Sequence, residues 1–84
     1  MLPDIVEAHP IEPYRIYVRF EDGVEGAIDL ERAVPFQGVF APLRNHEEFR
    51  RLAVDPELGT VTWPCGADLD PLVLHGLLTG APRV

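Results

Sequence analysis

The chain has 84 residues, 46% of them hydrophobic, with one cysteine and a formal net charge of −7 at pH 7. This length fits a single domain, predicted over residues 1–84, and the hydrophobic content is too high for a disordered chain. One cysteine cannot form an internal disulfide, and no apolar run reaches the roughly 20 residues that cross a bilayer.

The balance of 14 acidic against 7 basic side chains repels a phosphate backbone, so direct nucleic-acid binding is not expected. The N-terminus lacks the basic segment and apolar stretch of a secretory signal. We therefore expect a cytoplasmic protein that does not contact a membrane.

Residues 14–20 alternate between apolar and polar side chains, which predicts a half-buried β-strand. The alternation resumes at Val24. A three-residue loop with Gly23 in the left-handed conformation pairs Val18 with Gly26 and keeps the apolar faces together. The pattern therefore predicts an antiparallel hairpin.

A third strand is expected over residues 5–9, before Pro10 interrupts it. Further along the chain, Asn45 and Glu48 have the spacing of a capping box, in which each side chain bonds the other residue's backbone N–H. This spacing predicts a short middle helix with Phe49 facing inward.

The segment from Asp55 to Gly59 has the composition of a tight turn ending in a left-handed glycine. A loop of this length pairs Val54 with Val61 and Leu52 with Trp63, and both pairs are apolar. A second hairpin is therefore predicted, with the indole of Trp63 either packed in the core or exposed as a binding anchor.

Asp70 is predicted to cap a final helix that runs from Pro71 to Thr79 and stops at Gly80. Its apolar residues cover more than the stripe of about 100° that a surface helix needs. Two interpretations remain open: the sheet covers the whole face, or a partner chain covers part of it. The apolar residues are Leu72, Val73, Leu74, Leu77 and Leu78.

Together these elements predict an α+β fold: two antiparallel β-hairpins forming a small sheet, with a short middle helix and a C-terminal helix packed on it. No internal repeat or linker is found. Stability must come from packing, with or without a partner subunit.

The segments Val18–Gly23 and Gly59–Pro64, together with Gly66, Asp68-Leu69 and Pro71, resemble a bacterial family of small proteins known as domain-of-unknown-function family 2442. The resemblance implies a small α+β fold without an established activity, in proteins sometimes fused to a helix-turn-helix domain or found beside small toxin-like proteins. The family has asparagine where this chain has Cys65. The matching residues are Val18–Gly23, Asp29-Leu30, Phe40–Leu43, Phe49, Gly59–Pro64, Gly66, Asp68-Leu69 and Pro71.

Cys65 is a candidate reactive thiol because it precedes a predicted helix N-terminus, where a thiolate is stabilised. No motif ties a histidine to it as a base, so a packing role is favoured. Asp68 and Asp70 are interpreted as a turn residue and a helix cap. No catalytic residue, metal site or cofactor is predicted.

The sequence therefore favours a non-enzymatic protein-interaction module, with homodimerisation through the last helix or a regulatory or antitoxin-like partner. A third hypothesis is an accessory role in transcription regulation, in which the acidic surface docks on a basic partner. The alternative function is a small ligand-binding domain or enzyme centred on the turn from Trp63 to Asp70. The candidate interaction surface is Tyr17, Trp63, Leu74, His75 and Leu78.

Overall fold

The structure is a computed structural model that describes residues 3–80. Strands β1, β2 and β3 form one antiparallel sheet in that order, and β4 and β5 form a second, separate sheet. The elements in chain order are β1 (Ile5–Ile11), β2 (Arg15–Phe20), β3 (Glu25–Asp29), α1 (Leu30–Ala33), a 3-10 helix (Gly38–Arg44), α2 (His46–Phe49), β4 (Ala53–Asp55), β5 (Thr60–Thr62) and α3 (Pro71–Thr79). The predicted α+β class is confirmed.

The hairpin of β2 and β3 has the predicted register, with Val18 opposite Gly26. The N–H of Phe20 donates to the carbonyl of Val24 at 2.8 Å, which closes the three-residue loop. Gly23 in that loop has φ of 92°, a conformation that side chains other than glycine rarely adopt. The alternation of apolar residues therefore fixed the register correctly.

Strand β1 is longer than predicted, because it continues through Pro10 to Ile11. Pro10 lies opposite Ile16, and the backbone N–H and C=O groups of Ile16 point towards β3. Since bonded pairs alternate along antiparallel strands, the nitrogen of Pro10 faces away from β2. A missing N–H at the outer edge of a sheet removes no ladder bond, so the proline is accommodated.

Helix α2 begins at the predicted cap, where the Asn45 side chain accepts the N–H of Glu47 at 2.8 Å. The predicted reciprocal bond is absent. The Glu48 carboxylate instead accepts the backbone N–H of Cys65 at 3.1 Å, while the N–H of Asn45 donates to the carbonyl of Pro42. The capping-box prediction was therefore wrong in its second half, because a distant segment supplies a donor for Glu48.

The second hairpin also has the predicted register, with Val54 opposite Val61. The predicted pairing of Leu52 with Trp63 is wrong, because the ladder ends one residue earlier. The backbone N–H of Trp63 donates to the carbonyl of Ala67 at 2.9 Å, so the chain after β5 folds back along that strand.

The two hairpins do not join into one sheet, contrary to the prediction. They meet where the N–H of Ile5 donates to the carbonyl of Gly59 at 2.9 Å. Gly59 belongs to the loop between β4 and β5, where a ladder cannot continue, so the contact remains a single bond. The sheets are held together chiefly by a shared apolar core.

That core includes residues from the strands, the helices and the connecting segments. Helix α3 lies against the core side of β3, where Leu74 is buried and Leu78 packs on the backbone of Gly26. The buried apolar residues are Ile5, Ile16, Val18, Phe20, Ile28, Leu30, Phe36, Leu43, Phe49, Val61, Trp63, Ala67, Leu69 and Leu74.

Candidate functional site

Helix α3 has the predicted ends. The Asp70 carboxylate accepts the N–H of Leu72 at 2.9 Å, and Gly80 ends the helix with φ of 67°. One face of the helix packs on the core through Leu74. Away from Leu74, the helix carries three large exposed apolar side chains, which we call the α3 outer face: Leu72, Val73 and Leu77, exposed by 54%, 46% and 37%.

A groove of about 400 Å³ lies between α3 and strand β3, and we call it the β3 groove. Its walls are partly apolar and partly polar, and Asp29 and Arg32 contribute charged side chains to the lining. Leu77 belongs both to this groove and to the α3 outer face. The lining residues are Ala27, Ile28, Asp29, Arg32, Ala33, Leu77 and Leu78.

A second groove of about 410 Å³ borders the first half of α3. Val73 of the α3 outer face lies on one side of it, and Val34 and Phe40 lie on the other. Val73 and Leu77 thus border two grooves that follow one another along the side of the helix next to α1, and a concave surface is the shape that binding sites usually have.

His75 lies on the side of α3 that faces the β2–β3 loop. Its Nε2 is 2.8 Å from the Asp22 carboxylate, and its ring meets that of Phe20 edge-on at 4.9 Å. The pKa of Asp22 is lowered, first by the N–H of Val24 and then by the contact with His75. His75 therefore links α3 to the first hairpin.

Two residues of the predicted interaction surface, Trp63 and Leu74, lie in the core. The indole N–H of Trp63 donates to the carbonyl of Phe49 at 2.9 Å, which satisfies its polar group inside the protein. Neither side chain is placed to contact a partner, because neighbouring elements already cover both. Leu78 is half-buried against the sheet.

Tyr17 lies on the outward face of the sheet, as predicted. Its ring stacks on His9 at 5.7 Å, and its hydroxyl donates to the Glu25 carboxylate at 3.3 Å. Desolvation, followed by the charge of Glu25, raises the pKa of Tyr17. The neighbouring Arg19 donates to Glu7 at 3.0 Å. This outward face is therefore a set of paired polar groups.

Cys65 is half-buried in the turn after β5. Its backbone N–H is bound by Glu48, and its Sγ lies 4.0 Å from the carbonyl oxygen of Val39. Asp70 caps α3, and Asp68 forms an isolated bridge with Thr62. Between residues 3 and 80, no group of three or more histidine, cysteine or acidic side chains has the geometry to hold a metal ion.

Sequence reasoning missed the exposed residues of α3, because it selected Leu74 and Leu78 and not Leu72, Val73 and Leu77. Apolar residues cover most of the helix circumference, so hydrophobic periodicity did not indicate its orientation. The N-cap at Asp70 fixed the start of the helix but not which face packs on the sheet.

A family model described as "Protein of unknown function (DUF2442)" matches residues 5–82. The chain belongs to this DUF2442 family. The match confirms the resemblance noted in the sequence and spans every element from β1 to α3. No curated protein and no solved structure matches the chain.

Membership of the DUF2442 family establishes no activity or partner. The DUF2442 match includes the α3 outer face and the β3 groove. Over the described range, none of the helices has the length and apolar character that a membrane crossing requires.

Proposed function

We propose that the chain is a non-enzymatic protein-interaction module whose α3 outer face binds a basic partner protein, in a regulatory or antitoxin-like pair. The observation that carries this proposal is the exposure of Leu72, Val73 and Leu77 on one short helix. Several exposed apolar side chains of this size on one helix are typical of binding surfaces.

The free energy gained by burying the α3 outer face is too small for stable binding unless the neighbouring grooves are buried as well. Covering the exposed parts of the three side chains contributes about 1 kcal/mol each, by the area relation for apolar burial. Association itself costs several kcal/mol, so three side chains alone give a weak complex. The two neighbouring grooves supply further apolar surface that a partner would cover.

Charge favours a partner of opposite sign. Helix α3 has no acidic or basic residue other than His75, while the chain carries a net charge of −7. Two copies of such a chain repel each other, whereas a basic protein is attracted and its encounter is accelerated. A basic partner therefore fits this surface better than a second copy.

The alternative centred on the turn from Trp63 to Asp70 has weaker support. The indole of Trp63 is enclosed in the core, and Asp70 is engaged in capping α3. Cys65 is held through its backbone by a carboxylate, Glu48, and its thiol has no histidine among its hydrogen-bond partners in the described part of the chain. A nucleophilic cysteine needs such a base beside it.

The test is affinity co-purification from the native host, followed by size-exclusion chromatography and mass spectrometry. The wild type is compared with Val73→Glu, which places a charge on the α3 outer face. Leu58→Glu is the matched control, because Leu58 is 58% exposed on the β4–β5 loop, away from α3.

A stoichiometric basic protein that is retained by the wild type and Leu58→Glu and lost by Val73→Glu is expected. A dimer of the chain that Val73→Glu dissociates would replace the basic partner with a second copy. Recovery of the chain as a monomer without any partner would contradict the proposal.

A further inference from the structure

Strand β3 is an edge of its sheet, and among residues 3–80 no further strand pairs with its outer side. The N–H of Phe20 donates to the carbonyl of Val24, and the N–H of Leu30 donates to the carbonyl of Tyr14. These two hydrogen-bonded pairs lie at the two ends of the β2–β3 ladder. Bonded pairs alternate along an antiparallel ladder, so the N–H and C=O groups at positions 25, 27 and 29 point away from β2. Such an edge is a template for strand addition.

The β3 groove lies along this edge and offers a site for the side chains of an added strand. Leu77 and Leu78 of α3 and Ala33 of α1 lie beside the strand, next to Ile28. A peptide that pairs with an edge strand directs every second side chain to one face. One set of its side chains would therefore enter the β3 groove, of about 400 Å³, beside these apolar side chains.

The other set of side chains would face two carboxylates. Glu25 and Asp29 are both exposed, and they lie on the same face of β3 on either side of Ala27. Their cross-strand neighbours bind elsewhere, since Arg19 pairs with Glu7 and Arg15 donates to the carbonyl of Glu12. Within residues 3–80, neither carboxylate takes part in an ion pair.

We propose that β3 binds an extended segment of a partner protein as an additional strand. The segment places small apolar side chains in the β3 groove and lysine or arginine side chains opposite Glu25 and Asp29. This inference rests on the proposed function, because it specifies how a protein-interaction module of this shape engages a basic partner.

The first test uses a capped synthetic heptapeptide of alternating lysine and valine, with an alternating glutamate and valine peptide as control. Amide hydrogen exchange is followed by NMR. The backbone amides of Glu25, Ala27 and Asp29 are expected to exchange at least about tenfold more slowly with the lysine peptide, because each becomes bonded. Binding is expected to weaken as salt screens the carboxylates.

The peptide itself provides a control that leaves the protein unchanged. N-methylation of the alternate amides that face β3 removes their hydrogen bonds and is expected to abolish binding. Methylation of the intervening amides, which face solvent, is expected to preserve it. Equal binding of the two methylated peptides would overturn strand addition.

Variants of the protein test the same edge. Ala27→Pro removes an outward N–H without removing a ladder bond, and is expected to weaken peptide binding about tenfold or more. Ala27→Ser retains the N–H and is expected to bind normally. The double variant Glu25→Lys with Asp29→Lys is expected to prefer the glutamate peptide.

Failure of this inference is distinguishable from failure of the proposed function. A native partner held equally by wild type and Ala27→Pro but lost by Val73→Glu would overturn strand addition and leave the proposed function intact. If the peptide slows exchange at the three amides but no protein partner is recovered from the host, the proposed function is overturned and strand addition is not. Peptide binding without slowed exchange there would overturn the inference.

Discussion

The Nε2 atom of His75 lies 2.8 Å from the carboxylate of Asp22, so α3 contacts the loop between β2 and β3 through a polar pair. The same imidazole packs edge-on against the buried ring of Phe20. Helix α3 is therefore positioned by this pair as well as by Leu74, and the pair includes a carboxylate whose pKa is lowered.

Acidification is expected to weaken this attachment. The pKa of Asp22 is lowered in the folded protein by the N–H of Val24 and by His75, so the ionised carboxylate favours folding. That contribution is present above the ordinary aspartate pKa and is lost as pH falls through the lowered value. The difference in unfolding free energy between the wild type and Asp22→Asn should therefore shrink below about pH 4.

Urea unfolding at several pH values measures this difference. Glu57→Gln is the control, because Glu57 is an exposed carboxylate on the β4–β5 loop, away from α3. A gap between the wild type and Asp22→Asn that stays constant down to about pH 2 would show that Asp22 does not contribute to stability through its charge.

Glu48 is expected to hold the turn that contains Cys65. Glu48→Ala leaves the backbone N–H of Cys65 without its acceptor and should lower the unfolding free energy by about 1–2 kcal/mol. The thiol should then react faster with an alkylating reagent, because the turn opens more often. Glu48→Gln keeps an acceptor and should cost less.

The matched control is Glu47→Ala, one position earlier, where the side chain is exposed. Surface changes of this type usually alter stability by less than about 0.5 kcal/mol. Identical thiol reactivity in the two alanine variants would show that the bond does not restrain Cys65.

Trp63 is expected to contribute through its hydrogen bond as well as its volume. Trp63→Phe removes the buried indole N–H that binds the carbonyl of Phe49, and it leaves a small void. We expect a loss of about 1–3 kcal/mol in unfolding free energy, measured by circular dichroism in urea. A stability within about 0.5 kcal/mol of the wild type would contradict a structural role for this bond.

Gly26 is expected to set the distance between α3 and the sheet. A Cβ atom at this position would lie 2.7 Å from Cδ2 of Leu78, so Gly26→Leu should displace the end of the helix and cost about 1–3 kcal/mol. Ala27→Leu, on the opposite face of β3, is the control, because it introduces the same side chain into the strand away from Leu78. NMR shifts in α3 that are equal in the two variants would argue against this packing.

The sequence could predict features that depend on local pattern. The β2–β3 register followed from alternation around Gly23, and the ends of α3 followed from Asp70 and Gly80. These signals lie within a few residues of the feature they determine, so no tertiary information is needed.

The candidate site was harder to predict, because its geometry depends on contacts between distant segments. Glu48 and Cys65 are 17 positions apart, and a sequence pattern cannot rank that bond above a local capping box. Likewise, the polar His75 did not mark the exposed side of α3, because it packs against the β2–β3 hairpin. The sequence left Trp63 open between a core residue and a binding anchor, and its indole bond to the carbonyl of Phe49, 14 positions away, could not be predicted from the strand pattern.

Pro10 limits how far this sheet can grow. At the opposite border from β3, its ring replaces an amide donor, and the bond from Ile5 to Gly59 occupies the start of the same strand. A chain that pairs through β3 therefore presents a poor template at its far side, so repeated stacking into a fibre is disfavoured. Assembly through this sheet should end after one partner has been added, giving complexes of finite size.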